Sequence, residues 1–202
     1  MTLWRGKEPL VLASQSRARQ MLLANAGIVF EAVPADIDER AVQQASGLLA
    51  PGEIAALLAR AKAQAVSLGQ PGKYVIGADQ TLALENRLFS KPAGRVQAAG
   101  QLRDLAGRSH ELHSAVAVAR DGKILFETTA VARMTMRQLS GAEIRTYLDE
   151  AGEAVTSSVG AYQLEGLGVH LFERIDGDHF TILGLPLLPL LAFLRSARLL
   201  GV

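Results

Sequence analysis

Cysteine is absent from all 202 residues, which removes disulfides, thiolate metal sites and cysteine nucleophiles and is compatible with a reducing compartment. An excess of one charge is absent too. With 21 Lys and Arg against 20 Asp and Glu, the formal net of +1 argues against a broad surface for nucleic acid, so the expected ligand is small and held in a local cationic pocket. No apolar run reaches the roughly 20 residues of a membrane span. The strongly apolar stretch Ile182–Leu194 is interrupted by Gly184, Pro186 and Pro189 and reads as a core helix entered through a proline-containing turn. The opening MTLWRGKEPLVLAS has a short apolar run and no small-residue cleavage site, so no signal peptide is expected. Walker loops, GxGxxG after a strand and GxSxG elbows are missing as well. The four histidines do not fall at ligand spacing: His110 and His113 face opposite sides of an expected strand, and His170 and His179 are scattered. Without repeats, low-complexity tracts or long linkers, the whole chain reads as a single domain with two lobes.

The most informative segment present is Leu10–Leu23, LVLASQSRARQMLL. Leu10, Val11 and Leu12 form a buried strand run, Ser14, Gln15 and Ser16 a turn, and Met21, Leu22 and Leu23 the inward face of a helix. A strand-to-helix turn aims unpaired backbone N–H groups forward, and Ser14, Ser16, Arg17 and Arg19 add donors and positive charge, which suits phosphate. The competing account is that Ser16 only caps the helix and the arginines are solvated.

Further along, Ile28–Val33 reads as a strand, Ala35–Arg40 as an acidic loop, and Pro51 to about Leu68 as a helix whose stripe is Ile54, Leu57, Leu58, Ala61 and Ala65. Lys62 sits about 40° round from Leu58 on the flank of that stripe, either snorkelling to water or projecting as a cation into a site. Tyr74–Ala78 reads as a short strand with Asp79 at its end and space around it from Gly77 and Ala78. Asp79 could bind Mg²⁺, take a proton from water or merely cap a turn; Asp36, Asp38 and Glu39 could join it as hard oxygen ligands or stay solvated. Leu82–Leu84 and Leu88–Pro92 flank a turn at Glu85–Arg87, and Lys91 before Pro92 is either a phosphate contact or a surface lysine.

Arg95–Leu105 reads as a helix, and Leu112–Ala119 and Ile124–Met136 as strands joined by Asp121-Gly122. Ser140 and Glu143 make a capping box for a helix to Asp149. Gly160–Gly168 is a glycine-punctuated turn in which Glu165 exposes acceptor oxygens to a base edge bearing N–H donors, and Val169–Ile175 reads as a strand. The order implies an α/β fold: a mixed, twisted central sheet flanked by helices, with two lobes around a cleft.

LVLASQSRARQMLL, ADIDE, VIGADQ, Lys91-Pro92, AGRSH and GAYQLEGLGVHLFERIDGDHFTILGLPL occur together in an order that resembles the Maf family of nucleoside triphosphate pyrophosphatases. That resemblance implies a cytoplasmic, often dimeric enzyme acting on a small-molecule nucleoside triphosphate with Mg²⁺ or Mn²⁺. It makes Asp79 the catalytic acidic residue and a metal ligand, Ser14, Arg19, Lys62 and Lys91 the phosphate contacts, and Asp38 and Glu39 helpers for metal or water. Two departures stand out. Many members read S-P-R-R where this chain has Ser16-Arg17-Ala18-Arg19, leaving open whether Arg17 replaces the missing arginine. Gln80 and Glu165 stand where the pyrimidine-acting branch has threonine and glutamine, a combination resembling the 7-methyl-GTP branch and making both expected substrate contacts. A carboxylate can accept from guanine N1–H and the exocyclic amine, whereas uracil or thymine offers one N–H. The rivals are a dTTP and UTP pyrophosphatase and a non-catalytic nucleotide-binding regulator of cell division.

Overall fold

The structure, a computed structural model, describes residues 3–201. The chain divides into two compact units. The first holds the chain up to Gln80, Ser114–Ala130, and everything from His179 onward; the second holds Thr81–His113 and Val131–Asp178. The expected mixed α/β architecture is present, with strands β1 (Leu10–Leu12), β2 (Phe30–Ala32), β3 (Val75–Leu84), β4 (Arg87–Phe89), β5 (Ser109–Arg120), β6 (Lys123–Met136) and β7 (Phe172–Asp176) in a sheet ordered β2-β1-β3-β5-β6-β7 with β4 paired to β3; β3, β5 and β6 contribute residues to both units.

In the first unit β1 (Leu10–Leu12) runs parallel to both β2 (Phe30–Ala32) and β3, with Val11 opposite Val75 and Leu12 opposite Ile76. Period two then sorts the side chains. Leu10, Leu12, Ile76, Ala78, Val116 and Val118 pack on one face with Leu22 and Leu23 of α1 (Arg17–Asn25) and Leu187, Leu190 and Leu194 of α7 (Leu187–Ser196). On the other face Val11, Ala13 and Val75 meet Val66, while Ala115, Ala117 and Ala119 meet Ala55, Ala59 and Ala63 of α3 (Pro51–Leu68). These alanines and Gly77 let helix and sheet close together: a Cβ on Gly77 would lie 2.1 Å from the Ala59 carbonyl oxygen. The space beside Asp79 that the sequence suggested is therefore filled by α3.

Several expectations need correction. β3 is one ten-residue strand rather than two pieces, so Asp79 lies inside it rather than at a carboxyl end. Polar residues continue the strand because they are paired, the buried Asp79 with Lys62 and the half-buried Gln80 with Ser114. The expected acidic loop ends in α2 (Glu39–Ser46), started by the Asp38 side chain, which accepts from Ala41 N–H at 2.9 Å, and stopped at Gly47. No residue of α2 is buried, so no apolar period marked it. The strand expected at Ile28–Val33 is reduced to the three residues of β2. Met21 is 40% exposed, because α1 turns Leu22 and Leu23 inward, with Ala18 and Ala26 beside them. Ala65 is exposed, and the stripe of α3 runs instead through Ile54, Ala55, Leu58, Ala59, Lys62, Ala63 and Val66. The apolar stretch near the end is split into α6 (His179–Ile182) and α7 by the turn at Gly184 and Pro186.

The β5–β6 connection is the expected tight one, with φ of 50° at Asp121 and 77° at Gly122. In the second unit β4 (Arg87–Phe89) pairs antiparallel with β3, and α4 (Arg95–Leu105) and α5 (Gly141–Ala151) accompany β7 (Phe172–Asp176), antiparallel to β6. Ser140 and Glu143 form both bonds of the capping box on α5. The strand expected from Val169 begins only at Phe172, because Leu167–Leu171 winds into a 3₁₀ turn in which Gly168 presses against Gln163. Leu102, Leu105, Leu112, Met134, Met136 and Leu148 are fully buried core residues of this unit. No helix among the described residues is long and apolar enough to cross a membrane.

Candidate active site

Strand alternation decides where the polar residues of β3 point. Asp79 follows Val75 and Gly77 onto the α3 face, and the tight contact at Gly77 brings Lys62 over it. The Lys62 ammonium donates to Asp79 Oδ1 at 2.6 Å and lies 2.8 Å from Glu39 Oε1 at the start of α2. Lys62 and Asp79 are 7% and 8% exposed, whereas the Glu39 side chain is 51% exposed, so the cluster has a dry end and a wet end. Lys62 is thus buried and paired rather than snorkelling.

Burial pushes the Asp79 carboxyl above the usual carboxylate range; the Lys62 and Arg19 charges pull it back, and Glu39 adds to the upward push. A carboxyl poised this way, beside positive charge and near a wet opening, is suited to take a proton.

On the same side of the chain's first turn, Arg19 is fixed by three bonds. Its Nε donates to the Gly184 carbonyl at 2.8 Å, and one terminal nitrogen, Nη1, donates to the Ala78 carbonyl at 2.9 Å and Ser14 Oγ at 3.2 Å. Gly184 has φ of 86°, and a Cβ there would sit 3.3 Å from Arg19 Nε, so glycine serves both the turn and the guanidinium. The second terminal nitrogen, Nη2, has no protein partner among the described residues, leaving its two N–H donors available. Burial lowers the guanidinium pKa while Asp79 and Glu39 raise it, and arginine stays charged throughout. Ser14 Oγ accepts from Arg19 and from Ser16 N–H at 3.2 Å. Both its lone pairs are then used, so its own hydrogen remains to donate. Ser16 caps α1 through Arg19 N–H as the bland account expected, and Arg17 is exposed.

Ser14, Arg19, Lys62, Asp79 and Glu39 are therefore brought together by hydrogen bonds, ion pairs and mutual electrostatics. Asp38 stays outside this set, with one carboxylate oxygen spent on the α2 cap. Gln80 points to the opposite face, where its amide nitrogen donates to Ser114 Oγ and to the Thr181 and Ile182 carbonyls. Lys91 and Glu165 belong to the second unit, and both are exposed there. Beneath their two loops lies Gln101 of α4, whose amide nitrogen donates to the Ser90 carbonyl at 2.8 Å and whose oxygen accepts from Gly160 N–H at 3.1 Å. Gln101 and Ser114 support these positions without standing out in the sequence, where the available signal is a buried polar residue at an apolar register.

A divalent cation is what the family resemblance implies, and the donor chemistry fits one. Asp79 and Glu39 present hard oxygens to a single cationic centre, now the Lys62 ammonium. Among the described residues no three His, Cys, Asp or Glu side chains form a cage, so the fit is to a cation held by one or two carboxylates and completed by substrate phosphates.

Comparison with known proteins adds names to this geometry. The Maf family, described as Maf-like protein, matches residues 9–197. A protein of Bradyrhizobium diazoefficiens named nucleoside triphosphate pyrophosphatase is 73% identical over 202 residues, covering all of both chains. A Brucella abortus protein named 7-methyl-GTP pyrophosphatase is 53% identical over 192 residues, 94% of this chain and 96% of its own. Among solved structures, a HAM1 protein from Coxiella burnetii overlaps 63% of this chain and 72% of its own at a TM-score of 0.40 and 19% identity.

Proposed function

Because the chain belongs to the Maf family, we propose that it hydrolyses a nucleoside triphosphate between the α and β phosphates, releasing the nucleoside monophosphate and pyrophosphate, with 7-methyl-GTP as its preferred substrate. The observation that carries the reaction is the constellation of Arg19 with spare donors, Ser14 with a spare hydroxyl hydrogen, and the buried Lys62–Asp79 pair opening toward Glu39.

In this reading Arg19 Nη2 and the Ser14 hydroxyl donate to phosphate oxygens, and Lys62 turns part of its ammonium toward the bridging oxygen. Asp79 orients a water and accepts its proton as the water oxygen bonds to the α-phosphorus. The α-phosphorus bond to the bridging oxygen breaks, and the electron pair leaves on pyrophosphate, where Lys62 and Arg19 offset the growing charge. A divalent cation held by Asp79 and Glu39 would neutralise the triphosphate. Lys91 is proposed as a further phosphate contact and Glu165 as the acceptor for guanine N1–H and its exocyclic amine. A cytoplasmic homodimer belongs to the same proposal.

Support for the guanine-type base comes from Glu165 and from the name of the 53% identical relative. The test is pyrophosphate release from 7-methyl-GTP, GTP, dTTP and UTP, each with Mg²⁺ and with Mn²⁺. The fastest turnover should be on 7-methyl-GTP, with Glu165→Gln moving preference toward dTTP and UTP. Faster dTTP turnover by the wild type would reject the base assignment while leaving the reaction intact; no turnover on any triphosphate would favour a binding regulator.

A further inference from the structure

Gln80 and Ser114 lie on the sheet face opposite Asp79, in register with Ile76, Ala78, Val116 and Val118. The Gln80 amide nitrogen is 2.8 Å from Ser114 Oγ, 3.1 Å from the Thr181 carbonyl and 3.0 Å from the Ile182 carbonyl. Ser114, fully buried, donates its own hydrogen to the Thr181 carbonyl at 2.7 Å, so it accepts from Gln80. An amide nitrogen has two hydrogens, and these acceptors take both. It has no donor left for a nucleobase.

The turn that these bonds hold reaches Gly184, whose carbonyl receives Arg19 Nε, and Arg19 Nη1 returns to the carbonyl of Ala78, two residues before Gln80. Strand, serine, turn and guanidinium thus form a closed circuit. A guanidinium is planar, so fixing Nε and Nη1 also fixes the direction of Nη2. Shifting the turn would rotate the Nη2 donors away from any anion in front of the β1–α1 turn.

Building on the proposed role of Arg19 as a phosphate contact, we propose that Gln80 and Ser114 are positioning residues that aim Arg19 by clamping the Thr181–Gly184 turn. Gln80 then affects every substrate through the phosphate end they share, rather than reading the base. A merely structural role would lower stability without coupling to Arg19.

The experiment is a double-mutant cycle on the full chain, with pyrophosphate release from both 7-methyl-GTP and dTTP. Ser114→Ala removes one oxygen and is expected to lower kcat/KM about tenfold on both substrates, since small misplacements of a phosphate donor are costly. Ser114→Thr restores the hydroxyl and should recover most of that loss. In an Arg19→Ala background, Ser114→Ala should change the rate by less than about twofold, because coupled residues are not additive. Multiplying losses, or an effect confined to one base, would overturn the proposal. A second readout is the rise in Tm on adding inorganic pyrophosphate, which Ser114→Ala and Arg19→Ala should each reduce, non-additively. If the wild type turns over no triphosphate yet is protected by pyrophosphate with that coupling, the hydrolytic reading fails and the positioning role stands. If pyrophosphate gives the wild type no protection and the rates show no coupling, the positioning role falls.

Discussion

The two units support their candidate site residues differently, although each also contains bonds of the other kind. In the first, charge answers charge: Lys62 is shared by Asp79 and Glu39, and Arg19 feels both carboxylates. In the second, the exposed Lys91 and Glu165 ride on loops fastened from below by neutral groups. Gln101 bridges Ser90 and Gly160, and His110 Nε2 meets the Tyr162 hydroxyl at 2.7 Å beneath the glycine-rich turn. A buried ion pair is vulnerable to losing either partner, while a neutral bond is vulnerable to protonation or to loss of packing. The first unit should therefore respond sharply to charge substitutions, and the second to pH and to caps.

The strongest break is Asp79→Asn, which keeps shape and removes the proposed base. It should reduce pyrophosphate release about a thousandfold, the range expected for a general base, in a steady-state assay with the wild type alongside. Lys62→Met tests the ion pair itself. Leaving Asp79 ionised and without its nearest cation should cost about 3 kcal/mol in urea unfolding at pH 7. That loss should shrink as pH falls, because the Asp79 carboxyl, already raised by burial and now without Lys62, takes up a proton and no longer needs the ammonium.

For the second unit the expected lever is His110. Burial lowers its pKa to about 4, against an ordinary value near 6.5, so the folded chain binds fewer protons than the unfolded one between those values. The contribution of a neutral, buried His110 to stability should accordingly be complete above pH 6.5 and fall as pH drops toward 4. His110→Phe should flatten that part of a urea-unfolding profile, and an unchanged slope would assign the acid sensitivity to other groups. The smallest effect is Ser140→Ala at the start of α5: loss of the cap should cost about 1 kcal/mol with kcat/KM unchanged.

What could be read from residues alone followed the reach of local physics. α3, expected from Pro51 to about Leu68, and α4, expected over Arg95–Leu105, are present with those bounds; for α3 a proline start and an apolar period are local signals, even though its stripe shifts away from Ala65. The Ser140 box and the Asp121-Gly122 turn were legible for the same reason. α2 was not, since it buries nothing and its only marks are the Asp38 cap and Gly47. β3 was cut in two because Asp79, Gln80 and Thr81 look like a strand end until their partners are known. Those partners lie 17 and 34 positions away, a pairing no local pattern specifies. For the site, Ser14, Arg19, Lys62, Asp79 and Glu39 are legible as types of chemistry in family order, and the resemblance implies that the charges of Arg19, Lys62, Asp79 and Lys91 converge; the contacts that join the first five, such as Lys62 with Asp79, follow no local pattern. Gln80 is expected as a substrate contact from the family resemblance, and no local pattern marks that its amide nitrogen donates to Ser114 and the Thr181 turn.

The central claim, that the charged cluster of the first unit directs water to the α-phosphorus, is tested most directly by hydrolysis in water labelled with heavy oxygen, followed by mass analysis of the products. The label should appear in the nucleoside monophosphate, with none in pyrophosphate, and the labelled product should all but vanish with Asp79→Asn. Label in pyrophosphate or in inorganic phosphate, or undiminished labelling by the Asp79→Asn variant, would contradict it.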